Sequence, residues 1–150
     1  MLASDVVMEL RERYDMCFGC GSSNPIGLHL DGFTVRGDSV VAPFDPRPQF
    51  AGFENTLHGG IVATALDEIS AWSAMFTHGV LVFTARLDIR YRAQADPGET
   101  YEMEGTVAER RGRRLTITGR MKRDDVVVAE SNGLFVVAQD LTGTLNVTSN

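Results

Sequence analysis

The chain has 150 residues, of which 43% are hydrophobic, and it carries a formal net charge of -6. This length suits one globular domain with a sizeable core and is short for two, so we predict a single domain over residues 1–150. The negative charge argues against broad binding to nucleic acid or to an anionic membrane, which leaves small molecules and further copies of the chain as expected partners.

Residues 1–16 are predicted to be an N-terminal extension that contains a short helix. Ser4 or Asp5 suits the N-cap of a helix over residues 6–14, which has one apolar side. The extension lacks the basic start of a secretory signal, and acidic residues interrupt any apolar stretch in it. A cytoplasmic location is therefore expected.

A loop that contains both cysteines of the chain follows, with the sequence MCFGCGSSNPIG. Cys17 and Cys20 are too few for a disulfide scaffold. A zinc site needs two further ligands, and His29, the nearest candidate, leaves it one short. We expect a structural loop with no metal, and a metal site or a redox pair are the alternatives.

Two short strands are predicted over residues 28–35 and 39–44, joined by a turn at Gly37-Asp38. A second loop then leads to a helix over residues 61–77, a run without proline or glycine in which apolar residues occupy nearly every side. Such a helix is typically buried. Gly79 is a natural C-cap for it.

Asp67 and Glu68 are the chemical anomaly of this helix, because charged side chains are rarely buried without a partner or a task. They point about 100° apart and cannot face one site. The face of Asp67 carries small side chains, namely Ala63, Thr64, Ser70, Ala71 and Ala74. This stripe favours Asp67 as the working group. An ion pair of Asp67 with Arg86 or Arg90 is the structural alternative, and a structural pairing is expected for Glu68.

The start of the helix, His58-Gly59-Gly60, leaves backbone N–H groups bare and lets a ligand approach them. Such a place can polarise a carbonyl oxygen, although a tight entry to the helix is the structural alternative. Asp67 lies roughly 11 Å further along the same helix. One helix therefore cannot bring both groups to one carbonyl, whereas two helices side by side in a dimer can.

Alternating strands are predicted after the helix. Residues 83–95 alternate strictly, with Phe83, Leu87 and Tyr91 on the apolar face and Thr84 on the polar one. Two further strands follow, the first ending in a turn at residues 111–112 and the second in a turn at residues 124–125. A last strand covers residues 126–138. Short turns make these strands antiparallel, and their apolar faces have the helix to cover. Residues 139–150 are expected to be a polar tail.

Three motifs, CFGCGSSNPIGLHL, LHGGIVATALDE and FTARLDIRYRAQADPGE, cover most of residues 17–99. Together they resemble the hot-dog fold acyl-CoA thioesterases of the phenylacetate-degradation type, in the 4-hydroxybenzoyl-CoA thioesterase superfamily. The resemblance implies an α+β hot-dog fold, in which an antiparallel sheet of five or six strands wraps one long helix. It also implies a homodimer or a dimer of dimers, an acyl-CoA substrate, and no cofactor besides the coenzyme A of that substrate.

The resemblance also implies roles for individual residues. The N–H of Gly59 polarises the thioester carbonyl, and Asp67 of the partner subunit serves as general base or as nucleophile. Thr84 helps to position the attacking water, and His58 holds the loop.

Substrate binding is expected to involve Gly60 and Glu68 near these groups, and arginines that meet the phosphates of coenzyme A. The candidate arginines are Arg90, Arg92, Arg111, Arg113 and Arg114. A solvated turn is the structural alternative for the last three. Several apolar residues are candidates for an acyl pocket, or else plain core: Phe50, Phe53, Trp72, Met75 and Phe76.

One position departs from the pattern of these thioesterases. They usually carry an asparagine six residues before the histidine, where this chain has Gly52, and Asn55 is the candidate substitute. Thioester hydrolysis is the leading hypothesis, and a hot-dog protein that binds or senses acyl-CoA without turnover is the alternative. A hydratase is less favoured, because no pairing of an acid with a histidine is evident.

Overall fold

The computed structural model of the protein describes residues 4–142, which form two helices and six strands. In chain order these are α1 (Ser4–Arg13), β1 (Thr34–Arg36), β2 (Ser39–Phe44), α2 (Gly59–His78), β3 (Val80–Tyr91), β4 (Tyr101–Arg111), β5 (Arg114–Arg123) and β6 (Val126–Asp140). Two single-turn 3₁₀ helices, Pro48–Phe50 and Phe53–Asn55, lie between β2 and α2. The prediction of antiparallel strands around one long helix is confirmed.

The six strands form one antiparallel sheet in the order β1-β2-β4-β5-β6-β3. Tight turns with positive φ, at Gly112 and at Asp124-Asp125, join β4, β5 and β6 as hairpins. Since α2 connects β2 with β3, the chain crosses the sheet through this helix. Among the strands that the structure describes, β3 pairs with β6 alone and forms one edge of the sheet.

Two glycines of the sheet allow α2 to pack closely against it. A Cβ atom at Gly105 would lie 2.5 Å from the carbonyl oxygen of Ile69. A Cβ at Gly119 would lie 2.5 Å from the Ser131 hydroxyl and 3.4 Å from the hydroxyl of Ser70. A distance of 2.5 Å is too short for a real Cβ, so Gly105 lets the backbone of α2 lie against the sheet, and Gly119 makes room for the Ser131 hydroxyl beneath the helix.

The helix predicted over residues 61–77 extends from Gly59 to His78, and Gly79 caps it by donating its N–H to the carbonyl of Met75 at 3.0 Å. The prediction that this helix is buried on every side is wrong for the single chain. The sheet-facing Leu66 and Ile69 are fully buried, whereas Asp67 is only partly buried. One face of α2 is thus left incompletely covered.

The strand predicted over residues 28–35 is wrong for most of its length. Leu28 and Leu30 are buried, as their alternation indicates, but they pair with the cysteine loop. Their N–H groups donate to the carbonyls of Phe18 and Gly19 at 2.8 and 2.9 Å. The backbone hydrogen bonds of this segment are therefore satisfied outside the sheet.

The two ends of the chain differ slightly from the prediction. The helix of the N-terminal extension is present as α1, and Leu10 packs with Trp72 of α2. The polar tail begins later than expected, because Gln139 and Asp140 belong to β6 and Leu141 is buried. The rest of that predicted tail, 143–150, lies outside the described residues, as do residues 1–3. Neither α1 nor α2 has the length and apolar character that a helix needs to cross a bilayer.

Candidate functional site

The N-terminus of α2 presents one free backbone amide. His58 occupies the N-cap position, and its Nδ1 accepts a hydrogen bond from the N–H of Gly60 at 2.8 Å. The next N–H, that of Ile61, donates to the carbonyl of His58 at 3.0 Å. Within residues 4–142 the N–H of Gly59 donates to no acceptor. One amide at the positive end of the helix dipole is therefore available to an oxygen atom of a ligand.

This arrangement separates the roles of the two predicted glycines. The amide of Gly60 is occupied by the imidazole of His58, whereas the amide of Gly59 is free and exposed. The expectation that His58 holds the loop agrees with its capping contact. A site at this helix terminus has a single backbone donor.

Asp67 lies on the incompletely covered face of α2 and accepts a hydrogen bond from the Thr84 hydroxyl at 2.5 Å. Within the described part of the chain Asp67 forms no ion pair, since the nearby Arg86 pairs with Asp88. The structural alternative of an arginine partner is thus not observed. A carboxylate held by a hydroxyl keeps lone pairs free to accept a further proton or to attack a carbon atom.

The stripe of small residues on the face of Asp67 is narrower than predicted. Ser70 and Ala74 are fully buried on the sheet side, so they leave no space for a ligand. Ala63, Thr64 and Ala71 remain partly exposed beside Asp67. The open face therefore consists of positions three or four residues apart.

A β-bulge in β3 directs Thr84 toward the helix. Strict alternation predicts that Thr84 and Leu87 lie on opposite faces of the strand. The pairing of β3 with β6 shifts register between Thr84 and Arg86, and Ala85 is the extra residue. An inserted residue reverses the alternation, so Thr84 reaches Asp67 while Phe83 turns outward and is 71% exposed. The predicted burial of Phe83 is wrong for this reason.

One chain keeps the two principal groups apart. The hydroxyl of Tyr91 donates to the carbonyl of Gly59 at 2.6 Å, a contact that the sequence analysis did not predict. Thr84 contacts Asp67 seven residues earlier on the same strand. Gly59 and Asp67 thus lie against different ends of β3, about 12 Å apart along α2.

Glu68 has surroundings unlike those of its neighbour. Its Oε1 accepts a hydrogen bond from the Trp72 indole N–H at 3.1 Å and lies 3.6 Å from Sγ of Cys17. Removal from water and, to a smaller extent, negative charge on Cys17 together raise the pKa of Glu68 to about 7. The predicted structural pairing is therefore with a thiol and an indole.

The two cysteines differ in acidity. A hydrogen bond from the Cys20 thiol, aided by backbone N–H groups, lowers the pKa of Cys17 to about 5. The same contact and burial raise the pKa of Cys20. Of the two, Cys17 carries the thiolate first.

An apolar cavity of about 560 Å³ lies between α1, α2 and β3. Its walls include Leu10, Trp72, Met75, Val82 and Phe83, and it also contacts the side chains of Cys17, Cys20 and Glu68. Of the predicted acyl-pocket residues only Trp72 and Met75 line it. Phe50 belongs to the core instead, Phe53 is 82% exposed, and Phe76 packs beside Trp72. The cavity has the size and character of a small-molecule site.

The predicted arginines form two separate groups. Arg90 lines a surface groove of about 730 Å³, and Arg92 pairs with Glu130 at 2.5 Å. The other group lies at the β4–β5 turn, where Arg111 pairs with Glu109. The registers place Arg90 opposite Glu130, and Arg114 opposite Val136. Six residues of β6 thus separate the groups by about 20 Å.

The turn arginines are also partly committed to contacts within the chain. Arg113 donates to the carbonyl of Val137 at 2.8 Å, and Arg110 donates to that of Gly112. Arg114 is exposed. One phosphate group of a ligand cannot meet both arginine groups of the same chain.

The loop before α2 explains the glycine at position 52. A Cβ at Gly52 would lie 3.1 Å from the Cα of His58, so an asparagine there requires the loop to shift. Asn55 is exposed and has φ of 59°, a conformation that asparagine tolerates better than most residues. The two positions are thus not equivalent in the backbone.

Comparisons with known proteins agree with this architecture. The family model of the thioesterase superfamily matches residues 54–130, just over half of the chain. An uncharacterised protein of Schizosaccharomyces pombe is 28% identical over 106 residues, which are 67% of this chain and 61% of that protein. A crystal structure of a thioesterase superfamily protein is 25% identical, with a TM-score of 0.71, and covers 77% of this chain and 60% of the other.

Two more distant structures share the fold. A phenylacetic acid degradation-related protein from Ralstonia eutropha is 17% identical, with a TM-score of 0.64 over 72% of this chain and 83% of the other. The protein smu.793 from Streptococcus mutans, bound to acetyl CoA, is 17% identical, with a TM-score of 0.66 over 73% and 91%. The chain spans less than two thirds of the fungal relative and of the 25%-identical structure. With its antiparallel sheet packed on one long helix, the chain has the hot-dog fold and belongs to the thioesterase superfamily.

Proposed function

We propose that the protein is an acyl-CoA thioesterase that hydrolyses its substrate to a free acid and coenzyme A between two copies of the chain. The observation that carries the proposal is the hydrogen bond that holds Asp67 to Thr84, on a face of α2 where no cation of residues 4–142 neutralises the carboxylate. The free N–H of Gly59 supplies the second requirement, a donor for a carbonyl oxygen.

The edge of the sheet supports assembly of the site from two chains. The outer side of β3 has no partner strand among residues 4–142, and it carries the exposed Phe83 and Tyr91. An antiparallel pairing of two such edges about a two-fold axis near Leu87 sets Thr84 opposite Tyr91 of the partner subunit. Because Thr84 contacts Asp67 and Tyr91 contacts Gly59, this pairing unites the two groups.

The chemistry then proceeds by addition of water to the thioester. The N–H of Gly59 donates to the carbonyl oxygen and stabilises the negative charge that develops on it. Asp67 accepts a proton from water as the water oxygen bonds to the carbonyl carbon. The C–S bond breaks as the carbonyl re-forms, and coenzyme A leaves as a thiolate. Direct attack of Asp67 on the carbon, followed by hydrolysis of the anhydride, is the other route open to the same carboxylate.

Substrate binding is proposed to follow the shape of the site. The apolar cavity beside Ala71 suits the acyl group, since Ala71 lies one helical turn beyond Asp67. Arg90, in the groove at the end of β3 near Gly59, suits a phosphate of coenzyme A. The binding of acetyl CoA by the Streptococcus mutans protein supports a ligand of this kind.

The decisive experiment measures release of free thiol from a panel of short, long and aromatic acyl-CoAs. Asp67→Asn keeps the shape of the side chain but removes its basicity, and we expect kcat to fall about 10²- to 10⁴-fold. Asp38→Asn, which changes an exposed carboxylate in the turn between β1 and β2, is the matched control with unchanged turnover. Equal rates for wild type and Asp67→Asn on every active substrate would remove Asp67 from the mechanism.

Binding without turnover is the second candidate function. Gly52 favours it, because an asparagine cannot enter that position without a shift of the loop around His58. Calorimetry with the same acyl-CoA panel separates the two functions. Saturable binding with no thiol release by the wild type would support a sensor or carrier and would exclude hydrolysis.

A further inference from the structure

The cysteine loop and α2 bring three metal-ligating side chains together. Cys17 and Cys20 come from the loop after α1, and Glu68 comes from the middle of α2. One ligand atom from each side chain lies within 4.8 Å of the other two, and Cys17 Sγ is 3.6 Å from Glu68 Oε1. The third ligand that local sequence could not supply is thus 51 residues away.

The backbone of the loop is shaped around this cluster. A Cβ at Gly19 would lie 2.4 Å from Oε2 of Glu68, so glycine lets the loop lie against the carboxylate in its observed position. The N–H of Gly21 donates to the carbonyl of Cys17 at 2.8 Å and closes a tight turn between the two cysteines. A Cβ at Gly21 would lie 2.1 Å from the carbonyl oxygen of Asp15. Both glycines therefore fix the position of the thiols.

No cationic side chain of the described residues compensates the charge of the cluster. Within residues 4–142 no lysine, arginine or histidine nitrogen lies within ion-pair distance of Glu68, whose neighbours are the two cysteines and Trp72. Arg11 reaches the same cavity but pairs with Asp31 at 2.8 Å. A partly buried carboxylate and two partly buried thiols, with no positive partner among the described residues, are the donor set of a thiophilic divalent cation.

The distances suit tetrahedral zinc. Bonds of about 2.3 Å to sulfur and about 2.0 Å to oxygen put neighbouring ligand atoms about 3.5 to 3.8 Å apart at the tetrahedral angle. The separation of Cys17 Sγ from Glu68 Oε1 is 3.6 Å. We propose that Cys17, Cys20 and Glu68 bind one zinc ion, with its fourth coordination position open to the apolar cavity.

This site differs from the expectation of a metal-free loop. His29, the candidate ligand suggested by the sequence, is exposed, its Nε2 contacts the carbonyl of Asn24, and it is absent from the cluster. Glu68 takes its place, and the Trp72 indole N–H orients the carboxylate as outer-shell donors do. Bound zinc fastens the cysteine loop to α2 one residue away from Asp67. The proposal is independent of thioester hydrolysis.

Zinc titration of the reduced, metal-free protein tests the site, with a chromophoric chelator as competitor. We expect one zinc ion per chain, and substitution by Co²⁺ should give a thiolate-to-metal charge-transfer band in the near ultraviolet. Glu68→Gln keeps the side-chain shape and an acceptor for Trp72 but removes the charged ligand, so zinc affinity should fall at least tenfold. Cys17→Ser should also remove the charge-transfer intensity of one thiolate.

His29→Ala is the matched control, because it removes an imidazole from the same segment without touching the cluster. It should bind zinc as the wild type does. Circular dichroism spectra of all variants establish whether each remains folded, and Glu68→Gln alone suffices if the cysteine variants unfold. No zinc binding by the reduced wild type, or undiminished binding by a folded Glu68→Gln, would overturn the proposal. Formation of a Cys17–Cys20 disulfide in air, together with no zinc binding by the reduced protein, would also overturn the proposal.

Discussion

Asp67 and Glu68 are adjacent in sequence, but the structure gives them opposite surroundings. Asp67 meets the hydroxyl of Thr84 on the side of α2 that faces the edge strand β3. Glu68 lies under the cysteine loop, against Cys17 and Trp72. A rotation of about 100° between neighbouring helical positions is enough to exchange one neighbourhood for the other.

The difference shows that the covering element, more than the helix, decides the chemistry of each acid. The Asp67 face is covered by a single edge strand whose outer side pairs with no strand of residues 4–142, so a second chain can complete the proposed site there. The Glu68 face is covered by the chain's own N-terminal segment. One face of α2 therefore suits catalysis between subunits, and the other suits a site within one subunit.

Removal of the backbone N–H of Gly59 should have the largest effect on the proposed site at the Asp67 face of α2. Proline is well tolerated at the first position of a helix and lacks an N–H, and His58, with φ of -59° and ψ of 132°, has a conformation that suits the residue before proline. Gly59→Pro should lower kcat about 10²- to 10³-fold, the effect of losing one oxyanion donor. Measurement of kcat with the best acyl-CoA substrate checks this.

Gly59→Ala is the control, because it retains the N–H and its Cβ meets Tyr91 at an ordinary contact distance of 3.5 Å. A mixture of Gly59→Pro and Asp67→Asn chains then tests assembly in trans. Random pairing gives mixed dimers in which one of two sites is complete, so about a quarter of wild-type activity should return. No recovery after verified subunit exchange would mean that both groups act within one chain.

The helix and the sheet were predictable from the sequence because their signals are local. The helix α2 begins at Gly59, ends before its cap Gly79, and has Asp67 as a polar residue within it. The alternation of apolar residues in the later strands matches their observed register. The strand predicted around Leu28 is wrong, because this segment pairs with a loop and an alternating pattern does not identify the partner of a strand.

The details of the site depended on features that no local pattern carries. The bulge at Ala85 reverses the side on which Thr84 lies, so alternation alone assigned Thr84 to the wrong face. The approach of Cys17 to Glu68 joins residues 51 positions apart, which spacing within the loop could not reveal. Tertiary packing decides both contacts.

Thr84 provides a smaller test of the Asp67 face. Thr84→Val removes the hydroxyl at nearly constant volume and leaves Asp67 without its hydrogen bond. A hydrogen bond to a charged group is worth about 1.5 to 3 kcal/mol, so kcat should fall roughly 10- to 100-fold. Thr84→Ser, which keeps the hydroxyl, should retain most of the activity. If the valine variant matched the serine variant in kcat, the bulge would have no part in the chemistry.

Glu102, unlike Asp67 and Glu68, is a carboxylate that lies beside a cation. The change in stability expected from breaking this pair is the smallest of the predicted effects. A hydrogen bond from Arg36 lowers the pKa of Glu102, the reverse of the direction that desolvation gives Glu68. A lowered folded-state pKa means that the pair stabilises the fold above the unfolded pKa of about 4.3. This contribution disappears as pH falls through the lower folded-state value.

Arg36→Gln should therefore move the midpoint of acid unfolding slightly upward and leave thermal stability at pH 2 unchanged. The shift is small, because both side chains are largely exposed and the pair is screened by water and salt. Circular dichroism melts of wild type and variant between pH 2 and pH 7 measure it, and Arg86→Gln, whose ion pair with Asp88 is longer at 3.7 Å, is the matched control. A variant that lost stability equally at every pH would show that Arg36 acts through packing of its side chain and that charge has no part in its effect.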